Sequence, residues 1–397
     1  MILAGGQGQR LHPLTSHCTK PAVGFGGIYR IIDFTLSNCL NTGLRQIYVL
    51  TQYKSLTLDQ HLKHGWDLFN IETEEFIYSL PPQHNVPEGW YQGTADALFQ
   101  NIYLFNVHRP DRILILKGDH IYKMDYLPLL TQHTATNAEV TIAAMERDLA
   151  NAGNYVVLSH DESNRLTALQ ERPAHPNPLP DKPDKALCSM GVYVFQTDAL
   201  VRAVIADAKN EHSTHEFGHD ILPKMLSEGK SIYAYRYQGI GGNPYWRDIS
   251  TVDSYYEAAM DLVGITPSLN LYDLDWPVRC RPRPFPPAKT VFSQEAHSGR
   301  VGTALDSLIS PGCIISGGKV TRSILSCNVR INSYSLVHES ILMENVSIGR
   351  HAHLRRCIID EGIVIPEGLQ VGYDRHLDES HFTVTPSGVV VVPKGFY

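Results

Sequence analysis

From about residue 300 onward, large aliphatic residues recur at intervals of six. Leu308, Ile314 and Val320 keep this step, as do Leu325 and Ile331. Leu336, Leu342, Ile348 and Leu354 continue it, and Ile359, Ile365 and Val371 repeat it. Successive runs slip by one residue, and small, polar or glycine residues fill the gaps. A period of six is neither helical nor strand-like. It suits a chain that turns a corner every six residues and points one aliphatic side chain inward each time. One such rung cannot bury its own apolar face, so rungs must stack into a parallel β-helix. A sandwich of short strands is the alternative, but it has no reason to hold this period for so long.

The first two-thirds has a different texture. "MILA", "QIYVLT" (46–51), "RILILK" (112–117), "EVTIAAM", "GVYVF" and "SIYAYRY" read as short apolar strands. Helical spacing lies between them. "IIDFTLSNCLNTG" stops at Gly43, and "TADALFQNIYLF" reads as one helix with Thr94 as its N-cap. Strands alternating with helices predict an α/β domain with a mostly parallel sheet covered on both faces. Ligands then bind at the carboxyl ends of the strands. Prolines crowd "ERPAHPNPLPDKPDK", a surface loop, and "WPVRCRPRPFPPAK" (276–289), an interdomain linker. The expected division is an α/β domain over 1–262, a linker over 263–300 and a β-helix with its tail over 301–397.

Composition narrows the function classes. With 34 Lys+Arg against 41 Asp+Glu, the net charge is −7. That offers no general attraction to nucleic acid or anionic membranes. The seven cysteines are widely spaced and form no C-x-x-C pair, as expected of inert thiols in a reducing compartment. Without an apolar run of membrane length or a signal peptide, the expectation is a cytoplasmic protein.

The chemistry-bearing motifs sit at strand ends. "MILAGGQGQRL" places Gly5, Gly6 and Gly8 directly after a strand, where backbone N–H groups can approach a phosphate. The turn is not a P-loop, because no G-K-[ST] follows, and Leu11 occupies the third glycine position of a dinucleotide fingerprint. Arg10 and Lys20 flank it, which suits a leaving polyphosphate. A tight turn with two solvated cations remains open. The strand feeding the turn, Met1 to Ala4, should be central yet is short. Either the start lies upstream or the strand is truncated. "KGDH" puts Asp119 at the end of a buried strand, and "YWRDIST" offers Asp248 as a second carboxylate. Such a pair, together with substrate phosphates, would hold Mg²⁺. Each could instead be a capping or turn aspartate. No Ser/His/Asp or Cys/His arrangement stands out. A phosphate nucleophile would need none, because it is already an anion. His212, His215 and His219 have spacing that could share a helical face, but Gly218 interrupts it.

"LAGGQGQRL", "TKPAV", "YRIIDFTLSNCLNTG", "TQYKSLTLDQH", "WYQGTADA", "GDHIYKMDY", "SMGVYVF", "PYWRDI" and "LYDLDWPVR" together resemble the bacterial glucose-1-phosphate adenylyltransferase (ADP-glucose pyrophosphorylase) family over nearly the whole chain. The resemblance implies formation of ADP-glucose and pyrophosphate from ATP and glucose 1-phosphate with Mg²⁺, for glycogen synthesis. It also implies that the α/β domain is the catalytic, nucleotide-binding one, that the β-helix is left-handed, and that the chain forms an allosteric homotetramer, or a hetero-oligomer with a paralogue. Carried over by position, Arg10, Lys20 and Asp119 would be catalytic. Ala4, Gly5, Gly6, Gly8, Gly93 and Thr94 would hold the nucleotide. Tyr91, Val156, Glu171, Arg172 and Ser189 would contact the sugar phosphate, and Asp119 and Asp248 the metal. Gln52, Trp90 and Arg30 fall at allosteric positions.

Several positions depart from the family's pattern. Arg172 replaces a lysine, Val156 a glycine, His219 a lysine, Ser250 a glycine and Ile28 a lysine, and Lys117 stands where a small residue is common. A Cβ at Val156 should crowd the sugar or shift the backbone, and a planar guanidinium at Arg172 is not equivalent to an ammonium. Three readings follow. The chain is an active enzyme with altered affinity and regulation, a weakly catalytic regulatory subunit, or an enzyme for another sugar. Retention of Arg10, Lys20, Asp119 and Asp248 together favours the first.

Overall fold

The computed structural model describes residues 1–82, 90–292 and 300–396. The N-terminal unit opens with strand β1 (Ile2–Leu3), the small hairpin β2 (Gly24–Phe25) and β3 (Tyr29–Arg30), then helix α1 (Ile31–Thr42). Strand β4 (Gln46–Leu50), helix α2 (Leu56–Gly65), strand β5 (Phe76–Leu80) and helices α3 (Thr94–Gln100) and α4 (Tyr103–His108) follow. Strands β6 (Arg112–Lys117), β7 (His120–Tyr122), β8 (Val140–Asp148), β9 (Val156–His160), β10 (Leu166–Glu171), β11 (Lys185–Gln196), β12 (Ile232–Arg236) and β13 (Trp246–Asp248) complete it.

Nine of these strands form one sheet in the order β10-β9-β11-β6-β1-β4-β5, with β8 joining β11 to β12. The β6-β1-β4-β5 portion is all parallel, as the short apolar strands predict. β1 lies centrally despite its length, and the Met1 amino group donates to the Leu114 carbonyl at 2.7 Å. β11 runs antiparallel against β6, β8 and β9, and its register shifts between Ser189 and Val192. That bulge breaks the ladder and pushes Ser189, Met190 and Gly191 towards the cleft. A separate ribbon pairs β7 with β13, setting His120 opposite Asp248.

α1 ends as its sequence predicts, with Gly43 at φ 93°. Its polar residues are not solvent-facing. Asn38 Nδ2 donates to the Tyr122 carbonyl, and Asn38 Oδ1 accepts from the Met124 N–H and from Trp276 Nε1. Asn41 and Ser37 bind Pro277 and Arg279 in the same way. The linker is therefore strapped along α1. "TADALFQNIYLF" forms two helices rather than one. Asn101 ends α3, with its amide donating to the Ala97 carbonyl and to the Tyr91 hydroxyl. Gly93, not Thr94, is the N-cap residue. The Thr94 hydroxyl is committed elsewhere, as described below.

The C-terminal unit is a left-handed parallel β-helix built on three sheets. Ile315, Ile331, Ile348 and Ile365 stack along one corner. Val320, Val337, Leu354 and Val371 stack along the next, and Leu325, Leu342 and Ile359 along the third. Partners are 16 residues apart in the first coil, as in Ile315 and Ile331, and 17 apart in the following ones, so one or two of the three steps in a coil are five rather than six. This corrects the inward set at three places. Ile309 rather than Leu308 stacks on Leu325 inside the coil, while Leu308 packs against the core shared with the N-terminal unit. Ile315 rather than Ile314 is buried, and Val337 points in while Leu336 is 39% exposed. The strand Lys289–Val291 already pairs with Ile314–Ser316, inside the stretch expected as linker. One apolar core spans both units. It joins Leu11, Phe25, Phe34 and Tyr255 to Ile324, Ile341, Ile358 and Val391.

Candidate active site

At the carboxyl ends of β1, β4 and β6 lies a cleft of about 660 Å³, within the range that holds a small ligand. The glycine turn forms its rim. Gly5 and Gly6 line it, and a Cβ on Gly6 would meet nothing within 4 Å, so the backbone there is open to an incoming group. Gly8 stands behind, at φ 63°, where a side chain would be strained. The Thr15 hydroxyl donates to the Gly8 carbonyl at 3.0 Å, and Lys54 Nζ donates to the carbonyls of Thr15 and Ser16. Together these hold the turn in place. Ala4 is buried and tied to both sides, donating to the Leu50 carbonyl and accepting from the Thr19 hydroxyl. Arg10 is exposed on the short helical turn Gln9–Leu11 and does not line the cleft.

Lys20 and the two aspartates meet, as their motifs predict. The Lys20 ammonium is 2.5 Å from Asp119 Oδ2 and 3.6 Å from Asp248 Oδ1. The β7–β13 pairing is what brings Asp248 to Asp119 across a long stretch of sequence. His120 Nε2 lies 3.7 Å from Asp119 and 3.9 Å from Asp248. Burial would raise the Asp119 carboxyl, but Lys20, His120 and Lys117 hold it well below the usual carboxylate range. Burial pushes the His120 imidazole down to about 4 despite the two carboxylates. It is therefore neutral at neutral pH. Burial would also lower the Lys117 ammonium, but Asp119, Tyr193, Asp248 and Glu216 raise it overall.

The carboxylate pair fits a divalent cation. Asp119 Oδ1 is buried without a hydrogen-bond partner, and both carboxylates already converge on one positive charge. Among the described residues no group of three His, Cys, Asp or Glu could cage a metal ion. Two carboxylates completed by substrate phosphates are the usual arrangement for Mg²⁺.

The opposite wall comes from three places. Tyr91 is fixed by Gln52, which donates to its carbonyl at 3.4 Å and accepts from its N–H at 3.2 Å. The Tyr91 hydroxyl accepts from Asn101, and burial raises its pKa. Gly93 is required where it stands, because a Cβ would come within 2.3 Å of the His215 carbonyl. Thr94 then fastens the segment that follows His215. Its hydroxyl donates to Glu216 Oε2 at 2.7 Å and accepts from the Phe217 N–H at 3.1 Å. Ser189 projects from the bulge of β11 and accepts from the Gly191 N–H. Val156 and Glu171 pack against Gly218, where a Cβ would stand 3.1 Å from Val156 Cγ2 and 2.7 Å from Glu171 Oε2. The extra bulk of Val156 is thus accommodated by the bare backbone of Gly218. Arg172, with a side chain 66% exposed, turns towards Glu171 at 3.6 Å. His219 is similarly exposed and turns towards Asp220.

Other residues singled out in the sequence lie apart from one another or outside the cleft. The histidines of "HSTHEFGH" separate, His215 binding Asp207 at 2.7 Å and His219 binding Asp220. Trp90 is 54% exposed beside the cleft rather than lining it. Arg30 lies in another cavity, between the β2–β3 hairpin and the β-helix, with Arg281, Arg283, Glu344 and Glu361. Conversely, the cleft includes His120, Tyr155, Glu216 and Trp246, to which the motifs gave no role. Glu216 and Trp246 lie in "HSTHEFGH" and "YWRDIST", where the histidines and Asp248 carry the local signal.

Residues 1–264 match the nucleotidyl transferase family, and residues 286–392 match the GlmU-like C-terminal hexapeptide family. The glucose-1-phosphate adenylyltransferase of Nitrosomonas europaea is 48% identical over 99% of this chain and 91% of its own. That of Koribacter versatilis is 48% identical over 100% of this chain and 95% of its own. That of Rhodopirellula baltica is 47% identical over 100% and 89%.

Proposed function

The chain belongs to the glucose-1-phosphate adenylyltransferase family, and from that premise we propose how its residues perform the reaction. A phosphate oxygen of glucose 1-phosphate attacks the α-phosphorus of ATP. The bond from that phosphorus to the bridging oxygen breaks, pyrophosphate leaves, and ADP-glucose forms. No protein base is needed, since the nucleophile is an anion, so the residues position groups and offset charge. The backbone at Gly5, Gly6 and Gly8, with Ala4, Gly93 and Thr94, frames the nucleotide. Lys20 and Arg10 face the polyphosphate, Arg10 by swinging in from its exposed turn. Tyr91, Val156, Glu171, Arg172 and Ser189 frame the sugar. Asp119 and Asp248 would hold Mg²⁺, which neutralises phosphate charge when bound.

The observation that carries this reading is the convergence of Asp119 and Asp248 on Lys20 beside the glycine turn. We assign residues 1–262 to catalysis, 263–300 to the connection and 301–397 to the β-helix. On family grounds we also propose a cytoplasmic homotetramer serving glycogen synthesis and regulated near Gln52, Trp90 and Arg30. No described helix is long and apolar enough to cross a membrane. Pyrophosphate release from ATP and Mg²⁺, followed with a panel of sugar 1-phosphates, tests the reading. Release with glucose 1-phosphate is expected, and release only with another sugar would reject it.

A further inference from the structure

Lys117 ends β6, the strand whose Ile113, Ile115 and Leu116 are buried in the core. Its side chain runs into the cleft over the bulge of β11. The path exists because Gly191 lacks a side chain. A Cβ there would stand 3.1 Å from Lys117 Cδ and 3.0 Å from Cε, and Gly191 has φ 68°. The tip lies in the field of Asp119, Tyr193, Asp248 and Glu216.

The other cations nearby are engaged or turned away. Lys20 holds both aspartates, and Lys54 holds two loop carbonyls. Arg172 and His219, at the sugar end, are largely exposed and face their own carboxylate neighbours. Lys117 differs, because among the described residues its half-buried ammonium makes no hydrogen bond or ion pair. An ammonium kept inside a cleft without a partner is a receptor for an anion that arrives with the ligand. Gly191, over which it passes, lies on the same bulge as Ser189, one of the residues assigned to the sugar under the proposed function.

We propose that Lys117 binds the phosphate of the sugar 1-phosphate and holds the attacking oxygen. The identity of that phosphate rests on the function proposed above.

The test compares the full-length protein with Lys117→Met, Lys117→Gln and Lys117→Arg. Calorimetry measures binding of glucose 1-phosphate, and steady-state kinetics gives KM for each substrate. Lys117→Met and Lys117→Gln should weaken glucose 1-phosphate by about tenfold or more in both measurements. KM for ATP should stay within about twofold, thermal stability should hold, and Lys117→Arg should recover part of the affinity. Unchanged glucose 1-phosphate binding in folded variants overturns the assignment, as does an equal loss for ATP, which would place Lys117 on the nucleotide. If the natural chain binds glucose 1-phosphate in a Lys117-dependent way yet releases no pyrophosphate, the proposed reaction falls and this site stands. If it turns over normally and the variants match it, the reaction stands and this site falls. If the natural chain neither binds nor turns over glucose 1-phosphate, both fall.

Discussion

Lys20 faces two carboxylates at once, Asp119 at 2.5 Å and Asp248 at 3.6 Å. Without it, two anions would share a partly buried site with a neutral imidazole, which neither would tolerate well. On arrival of a nucleotide the same ammonium is placed to offset phosphate charge. Lys20→Met should therefore lower kcat on the order of 10²-fold. A loss of melting temperature with kcat intact would show that Lys20 is only a counter-ion for the aspartates. Asp119 and Asp248 were legible because one stands in the turn just beyond an apolar strand and the other ends an aromatic one. The role of Lys117 was not, because it depends on Gly191, a residue on a different strand whose bulge no local pattern announces. The exposure of Arg10 follows from the direction of the turn Gln9–Leu11, which the sequence spacing does not specify.

At the scale of elements, the segment from Ser213 to Ile221 is fastened to the start of α3. Thr94 binds Glu216 and the Phe217 N–H, and the Ala95 N–H donates to the His215 carbonyl at 2.7 Å. Gly93→Ala would drive a methyl group into that carbonyl. It should cost about 1–3 kcal/mol and raise KM for glucose 1-phosphate, read by thermal melting and initial rates. A variant with the stability and kinetics of the natural chain would show that the segment is free to move. Asp220 locks the same segment through the Thr214 hydroxyl and the Thr214 and Glu216 N–H groups. Burial would raise its carboxyl, but these bonds and His219 hold it at about 2. A depressed carboxyl stabilises the fold above its unfolded pKa, near 3.9, and loses that contribution as pH falls towards 2. Denaturant unfolding at pH 7 should show Asp220→Asn less stable by about 1–2 kcal/mol, with the difference closing towards pH 2. A gap independent of pH would contradict this. The one-helix reading of "TADALFQNIYLF" failed for a related reason. Asn101 reads as an ordinary helix position until its amide is seen bound to Tyr91.

For the whole molecule, the period of six identified the β-helix, while its coils of 16 and 17 residues decided which neighbour faces inward. A one-residue slip of this kind is invisible wherever two aliphatic residues stand side by side, as at Ile314–Ile315 and Leu336–Val337. The shared core was also illegible, since nothing in a repeat marks which outer face will be covered. Ile341 is 3% exposed within that core. Ile341→Ala should lower stability by about 2–5 kcal/mol and leave a single calorimetric transition, whereas two separated transitions would mean the units unfold independently. The two-carboxylate site is the centre of the account, and titrating Mg²⁺ against pyrophosphate release from ATP and glucose 1-phosphate probes it most directly. Asp248→Asn should lower the rate on the order of 10²-fold and require more Mg²⁺ for half-maximal activity. A folded Asp248→Asn enzyme with the natural rate and the natural Mg²⁺ requirement would contradict the assignment.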